Sequence, residues 1–277
     1  MIKIFRKVGN AIYNIFLALF SISCIFPLIW ITYSSFKTKE EFMVDIVALP
    51  NQIQFANYTK AWVEGKLYIN FASSIFNSAI AVFFIIVLSF CIGYALARYR
   101  FKGRDLVYSL FLVGMMTPIY ALIVPLFIQM QNLNMNNKFY TLLIPYIAIR
   151  LPLSIFLFES FVKTIPVELE EAAYMDGAPP IKTMFSIILP LSRPVLSTVL
   201  ILAFLDTWNE FPFALTLVRD DKFRTVPVAL TNFQGQFTTD YTTLMAALVL
   251  SSLPVIIVYL SFSKKIIQGM TAGAVKG

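Results

Sequence analysis

The chain has 277 residues, of which 58% are hydrophobic and only 13% are charged. Soluble domains hold roughly 45–50% apolar and about 25% charged residues, so this composition excludes an ordinary soluble protein and predicts a surface covered largely by lipid. The net charge of +7 fits a membrane protein whose cytoplasmic loops collect Lys and Arg. The sequence lacks the basic patch, interleaved with polar residues, that is typical of a nucleic-acid-binding protein.

Six apolar stretches are long enough to cross a bilayer as helices, because a span needs ~20 residues that rise ~1.5 Å each. They predict helices near residues 12–33, 71–96, 107–128, 139–161, 195–217 and 242–263. The first stretch is too long for the apolar core of a signal peptide, so we interpret it as an uncleaved helix. The predicted fold class is therefore an all-α integral membrane protein.

The loops between these stretches predict the organisation of the chain. Residues 1–70 hold the first transmembrane helix and an external loop, residues 71–263 hold a core of five helices with a cytoplasmic loop at 162–194, and residues 264–277 form a C-terminal tail. The loop at 98–104 carries four basic residues, which favours a cytoplasmic position. Both termini are then expected in the cytoplasm.

Three ionisable residues, Arg150, Asp206 and Glu210, lie inside the predicted spans. A charge at the centre of a bilayer costs at least ~2.5–3.5 kcal/mol, so these groups should face the bundle or a water-filled path. Counting inward from opposite membrane faces places Arg150 and Asp206 at similar depth and predicts an ion pair between the fourth and fifth helices. The alternative is that Arg150 meets another subunit.

On a continuous fifth helix, Asp206 and Glu210 are four residues apart and would share one face. Glu210 lies one turn further outward than Asp206, and Trp208 and Asn209 stand beside it in the sequence. We therefore expect Glu210 and its neighbours to help close the outer end of a path.

The chain has no histidine and two cysteines, Cys24 and Cys91. Metal sites built on imidazole, histidine-based catalytic triads and histidine proton relays are therefore excluded. Both cysteines lie in apolar stretches, where we interpret them as small buried hydrophobic residues. The sequence also lacks the G-x-x-x-x-G-K-[ST] phosphate loop, so we expect no catalytic residues, no metal site and no cofactor bound by this chain.

The predicted cytoplasmic loop contains the most informative segment, residues 166–190. Acidic residues follow Pro166, as is favourable at the positive end of a helix dipole, and Gly177 can adopt the left-handed conformation that ends a helix. Ile181, Met184 and Ile188 then recur at helical spacing, so the segment predicts two short helices joined by a turn. On this pattern alone, an amphipathic hairpin lying on the membrane surface remains open.

This segment resembles the EAA loop of binding-protein-dependent ABC importers. The residues that match the pattern are Glu171, Ala172, Ala173, Asp176, Gly177, Ala178, Phe185, Leu189 and Pro190. Asn57-Tyr58, the region Pro118–Pro125, the stretch Thr207–Phe211 and the tail at 269–277 are similar to the carbohydrate branch of that family, and in particular to G-type subunits of maltose permeases.

The resemblance implies that the chain is a permease subunit without its own ATPase, in a bacterial plasma (inner) membrane. It implies as partners a second homologous permease subunit, two ABC ATPase subunits that hold ATP and Mg, an extracytoplasmic solute-binding protein, and a sugar-type solute such as an oligosaccharide, a polyol or a glycerol phosphate. Seven loop residues would then contact the ATPase, namely Glu171, Ala172, Ala173, Asp176, Gly177, Phe185 and Pro190. Gly273 and Lys276 in the tail would also contact the ATPase pair, with a disordered end as the alternative.

Two functions of other classes remain possible on the sequence. A secondary transporter or channel subunit driven by an ion gradient could use Asp206 and Glu210 to carry protons or cations. A membrane scaffold would transport nothing. Neither function accounts for the EAA-like loop, and sensitivity of uptake to collapse of the proton gradient distinguishes a secondary transporter from an ATP-driven importer.

The topology can be tested with reporter fusions. A reporter placed after Lys138 should behave as external, and one placed after Lys182 should behave as internal. The opposite pattern would reverse the predicted orientation and remove residues 166–190 from the cytoplasm.

Overall fold

The structure, a computed structural model, describes residues 2–234 and 240–274, with side-chain positions for residue 10, residues 12–234 and residues 240–262. Within these ranges the chain forms helices joined by loops and no β-strand, which confirms the all-α class. Contacts divide the chain into two compact units, one formed by Met1–Tyr68 with Leu230–Ser252 and the other by Ile69–Ala229 with Leu253–Gly277.

Among the described residues, four helices are long and apolar enough to span a membrane. They are α1 (Ile2–Ser34), α4 (Leu67–Arg98), α7 (Leu143–Val162) and α14 (Tyr241–Ala274). The spanning part of α1 covers Ile12–Ser34, and that of α14 covers Tyr241–Phe262. These four helices coincide with four of the stretches predicted from hydrophobicity.

The predicted helix at 107–128 is wrong, because the chain bends sharply within it. Helix α5 (Arg104–Met115) is followed by α6 (Ile119–Asn132), and the two differ in direction by 103°. Pro118 stands between them in an extended conformation, with φ −69° and ψ 123°. Proline disfavours a helical conformation in the residue before it, so the chain leaves the helix there.

The predicted continuous helix at 195–217 is also wrong. Helix α11 (Arg193–Trp208) ends before α12 (Pro212–Leu217) begins, with a non-helical connection between them. Pro212 has no backbone N–H to donate and occupies the first turn of α12, where none is needed.

The segment before α11 is helical in short pieces. It consists of α8 (Glu168–Met175), α9 (Pro180–Thr183), a π-helical turn (Met184–Ile188) and α10 (Leu189–Leu191). The piece Pro180–Leu191 meets α11 at 78°. If each bent pair counts as one span, the structure allows up to six spans by length and composition.

The first unit also contains two short helices, α2 (Lys39–Val44) and α3 (Ala56–Thr59), the latter continuing as a π-helical turn over Lys60–Glu64. Lys37 is only 1% exposed, and its ammonium donates to the carbonyls of Asp45 at 2.9 Å and Ile46 at 3.0 Å. The Asn57 amide donates to the carbonyls of Ser35 and Lys37, both at 2.8 Å. These side chains tie the loop after α1 into a compact cap.

Asp240 begins α14. Its carboxylate accepts a hydrogen bond from the Thr243 N–H at 3.2 Å and from the Thr243 hydroxyl at 2.9 Å. Burial acts to raise the pKa of Asp240, but the hydrogen bonds from Thr243 and Thr242 outweigh it and lower the pKa below its ordinary value. The charged form is thus favoured at the positive end of the helix.

The core of the second unit lies where α4 packs against α7. The rings of Phe90 and Phe158 meet edge to face with centroids 5.5 Å apart. A Cβ at Gly93 would stand 2.9 Å from the Phe158 Cβ, so only glycine allows this close approach. Buried Tyr146 of α7 and Val199 of α11 extend the same core.

Helix α13 (Val226–Ala229) and a 3₁₀ turn (Leu230–Phe233) complete the described elements.

Candidate functional site: a tethered loop and an intramembrane ion pair

The loop between α7 and α11 has the predicted first helix, α8, and the predicted turn, whereas the predicted second helix is divided into α9, a π-helical turn and α10. Gly177 follows α8 with φ +76°, which confirms the left-handed conformation expected of it. A Cβ at this position would meet nothing within 4 Å. Glycine is therefore required there by backbone conformation and not by crowding.

Glu170 of α8 fastens this loop to the end of α4. The Tyr94 hydroxyl donates to its Oε2 at 2.6 Å, and the Arg98 Nε donates to its Oε1. The Arg98 Nη2 also donates to the Ile165 carbonyl at 2.8 Å. One carboxylate and one guanidinium thus hold both the start of α8 and the chain before it against α4.

The sequence did not single out Glu170, because its position near a helix start already accounted for an acidic residue. Tyr94 and Arg98 are four residues apart, so they share one face at the end of the second predicted span. Because the phenol of Tyr94 and the guanidinium of Arg98 lie on one face close to an acidic loop, they could have indicated the contact with Glu170.

The structure places most of the predicted loop residues at the surface. Ala173 is buried, whereas Glu171, Ala172, Asp176, Gly177, Phe185 and Pro190 are exposed. Phe185 keeps a ring contact with Phe90 of α4, at 6.0 Å between centroids. A second link between the loop and α4 is therefore aromatic.

Large apolar side chains surround these exposed residues. Met175 is 84% exposed and Tyr174 is 72% exposed, and Val167, Leu169 and Ile181 are exposed beside them. Contiguous apolar surface of this kind marks a site of contact with another protein or with a membrane. We call this surface, formed by Val167, Leu169, Tyr174, Met175 and Ile181, the loop patch.

Glu159 of α7 forms a second charged cluster near the loop. Its side chain is 2% exposed and pairs with Lys163, and the Arg104 Nη2 lies 3.5 Å from its Oε1. The Arg104 Nε donates to the Leu96 carbonyl at 2.8 Å. A buried carboxylate needs such compensation, and here it joins α4, α5 and α7.

Arg150 and Asp206 form an ion pair between α7 and α11, with the Arg150 Nη1 3.0 Å from the Asp206 Oδ2. Their side chains are 27% and 36% exposed. The structure thus brings together the two residues that were expected to pair, and it leaves both partly open at the surface of this chain.

Glu210 does not share a helix face with Asp206, which corrects the expectation based on a continuous fifth helix. It lies in the connection after α11 and accepts from the backbone N–H groups of Phe213 at 2.6 Å and Ala214 at 3.1 Å. The buried Tyr146 hydroxyl donates to it at 3.0 Å. Glu210 therefore caps α12 and satisfies donors that the break would otherwise leave free.

The two neighbours of Glu210 lie in different surroundings. Trp208 is 2% exposed, and its ring contacts those of Phe71 and Phe204 at 5.7 and 5.6 Å. Asn209 is exposed, and its amide donates to the Leu205 carbonyl at 2.9 Å. Trp208 thus belongs to the packing of this chain, and Asn209 presents a polar group at its surface.

The predicted tail contacts lie at the edge of what the structure describes. Gly273 falls in the last turn of α14, where side chains are not described, and Lys276 lies outside the described residues. Within residues 2–234 and 240–274, no group of three or more His, Cys, Asp or Glu residues could hold a metal ion.

Comparison with known proteins places this arrangement in a family. The family described as "Binding-protein-dependent transport system inner membrane component" matches residues 89–272. The putative ABC transporter permease protein ORF2 of Caldicellulosiruptor sp. (strain Rt8B.4) is 36% identical over 99% of this chain and 99% of its own length. The trehalose/maltose transport system permease protein MalG of Thermococcus litoralis is 37% identical over 94% of each chain.

The fold is similar to that of a solved structure. A chain in the crystal structure of a bacterial ABC transporter involved in the import of the acidic polysaccharide alginate aligns with a TM-score of 0.81. The alignment covers 93% of this chain and 96% of that chain, at 24% sequence identity.

The ion pair between Arg150 and Asp206 can be tested by reversing its charges. Arg150→Asp should lower the yield of folded protein, because two like charges inside the span cost of order 2–3 kcal/mol. Adding Asp206→Arg should restore part of that yield, measured by size-exclusion chromatography in detergent. The control is the same reversal of the Arg224–Asp221 pair (2.7 Å), whose side chains are 28% and 64% exposed in a loop outside the predicted spans, so that its reversal should change the yield less. A double variant no better than Arg150→Asp alone would show that the pair is not formed in the membrane.

Proposed function

Because this chain belongs to the family of binding-protein-dependent transport system inner membrane components, we propose that it is the permease subunit of an ATP-driven importer for a sugar or related solute. The observation that carries the proposal is its 37% identity, over 94% of both chains, to a permease named for trehalose and maltose. Oligosaccharides, polyols and glycerol phosphates are the solute classes we propose.

The proposed topology has six spans with both termini in the cytoplasm of a bacterial plasma membrane. Helices α1, α4, α7 and α14 supply four spans, the bent pair of α5 and α6 supplies another, and α11 supplies the sixth. Residues 1–70 then form the first helix and external loop, residues 71–263 the core, and residues 264–277 the tail. The basic loop at 98–104 supports this orientation.

ATP hydrolysis in this proposal belongs to partner subunits. Two ABC ATPases hold ATP and Mg, a second homologous permease completes the path, and an extracytoplasmic binding protein delivers the solute. The tail, with Gly273 and Lys276, also contacts the ATPase pair. The chain itself has no phosphate loop with which to hold a nucleotide.

The loop patch is the proposed docking surface for an ATPase, together with the exposed Glu171, Ala172, Asp176 and Gly177. Burying exposed apolar side chains contributes roughly 25 cal/mol per Å², so the patch is a strong candidate for the contact. Movement of α8 would pass to α4 through the hydrogen bonds of Glu170 with Tyr94 and Arg98. The ring contact of Phe185 with Phe90 provides a parallel route.

The Arg150–Asp206 pair is proposed to line the path or the contact with the partner permease. Both side chains are partly exposed within spans, and hydrocarbon would solvate neither. Water, a polyhydroxylated solute or polar groups of the partner would solvate both side chains. The exposed Asn209 amide adds a further polar group after α11.

Uptake into proteoliposomes tests the function. Vesicles that contain the chain with its partner permease and ATPases should accumulate labelled maltooligosaccharide or trehalose only with the binding protein outside the vesicles and ATP at the ATPases. A protonophore should leave the initial rate unchanged, and a non-hydrolysable ATP analogue should abolish uptake. Uptake that stops with the protonophore while ATP persists would instead indicate a secondary transporter.

Coupling through the loop can be tested at Gly177. A valine there must adopt a positive φ at a local cost of about 1–2 kcal/mol or displace the turn. Gly177→Val should leave the assembled complex intact, reduce uptake at least tenfold, and uncouple it from ATP hydrolysis.

Gly103→Val is the matched control for this experiment. Gly103 has φ +88° and an equally open surrounding, so its substitution imposes similar strain outside the loop. Normal uptake by Gly177→Val, or an equal loss of uptake by both variants, would contradict the coupling role of the turn.

A further inference from the structure

A polar cavity of about 560 Å³ opens in the second unit where α4 ends and α5 begins. Its lining includes four cationic side chains, from Arg98, Arg100, Arg104 and Lys163, and the one carboxylate of Asp105. None of the residues proposed to contact the ATPase lines it. Among its lining residues, Arg98 also takes part in the proposed link between α8 and α4.

The charges around the cavity do not cancel. Glu170 pairs with Arg98, and Glu159 pairs with Arg104 and Lys163, while Asp105 pairs with Arg104. Arg100 lines the cavity and Lys102 is exposed in the same loop, and neither forms an ion pair with a described residue. With Lys102 counted beside the four cations of the lining, five cations stand against three carboxylates, which leaves an excess of two positive charges in and next to the cavity for an anion to neutralise.

An apolar surface adjoins this cavity. On α5, Leu106 is 66% exposed, Leu110 is 63% exposed and Val113 is 61% exposed. Their spacing of four and three residues places them on one face of the helix, and Leu106 also lines the cavity. No residue of α5 is buried. The basic cavity and this apolar face, which we call the α5 face, are therefore continuous.

Aromatic side chains indicate the depth at which the cavity lies relative to a membrane. Tyr99 is 49% exposed and Phe101 is 46% exposed, and both line the cavity directly after the spanning helix α4. Aromatic rings of this kind concentrate at the boundary between headgroups and hydrocarbon, and basic residues beside the ends of spanning helices attract anionic headgroups. A soluble anion would gain nothing from the rings or from the α5 face.

We propose that this cavity binds the headgroup of an anionic phospholipid, with an acyl chain lying along the α5 face. The guanidinium of Arg100 and the ammonium of Lys102 supply the uncompensated charge, and guanidinium groups suit phosphate oxygens because they donate two parallel hydrogen bonds. Arg98 and Arg104 shape the floor of the cavity while they remain paired with their own carboxylates.

The site can be tested by native mass spectrometry of the full-length chain in detergent, titrated with phosphatidylglycerol. Each interfacial cation contributes about fivefold in affinity for an anionic surface, so Arg100→Gln with Lys102→Gln should weaken binding by about 25-fold. The charge-retaining variant Arg100→Lys with Lys102→Arg should lose much less affinity than the glutamine variant, because it keeps both positive charges.

The matched control is Arg219→Gln with Lys222→Gln, which removes one exposed arginine and one exposed lysine from another loop. It should leave the affinity for phosphatidylglycerol unchanged. Leu106→Gln with Leu110→Gln should weaken binding without altering the charge, because it removes the apolar contact for the acyl chain.

Three results would overturn the proposal. Equal loss in the control variant would show that binding follows net charge and not this cavity. Displacement of phosphatidylglycerol by inorganic phosphate at similar concentration would identify a site for a free anion. Loss of bound phosphatidylglycerol when the ATPase subunits assemble on the chain would show that a protein surface occupies the cavity instead.

Discussion

The Glu170 carboxylate, shared between Tyr94 and Arg98, is the interaction on which the loop between α7 and α11 depends. Hydrogen bonds to charged groups contribute about 1.5–3 kcal/mol each, which is large for a short helix that has few buried side chains of its own. Of α8, only Ala173 is buried. Without the carboxylate, α8 would keep its backbone bonds but lose its fixed position against α4. The loop patch therefore has a fixed position relative to α4 through this carboxylate.

Breaks in the helices follow from the same need to satisfy polar groups. A chain in lipid cannot leave backbone donors unpaired, so non-helical backbone persists only where other groups bind it. Glu210 meets this condition for α12 by accepting from Phe213 and Ala214, and Tyr146 holds the carboxylate in place. An acidic residue that a continuous helix would present on the face of Asp206 instead stabilises the break between α11 and α12.

Particular residues show what the sequence could and could not predict. The depth of a residue in a spanning helix can be counted from the ends of the helix, so the sequence could predict that Arg150 and Asp206 pair. The positive φ of Gly177 could be predicted because a glycine here stands between a helical pattern and two prolines. The break after Trp208 could not be predicted from hydrophobicity alone, because the apolar stretch resumes at Phe211 and continues to Leu217. Lys37 was expected in a polar external loop, yet it is buried, since two carbonyls and the rings of Tyr33 and Phe42 surround its ammonium. Contacts between residues distant in sequence carry no periodic signal.

Exposure has a different meaning for the apolar and the polar parts of this chain. None of the apolar window of α1 is buried, and lipid alone is a sufficient environment for it. The Arg150–Asp206 pair is different, because hydrocarbon would leave the exposed atoms of both charged groups without hydrogen-bond partners, which would destabilise the folded chain. That surface therefore requires water or polar groups from another molecule, whereas α1 has no such requirement. Exposed polarity inside the predicted spans, rather than exposed hydrophobicity, therefore distinguishes the surface around Arg150 and Asp206 from the apolar surface of α1.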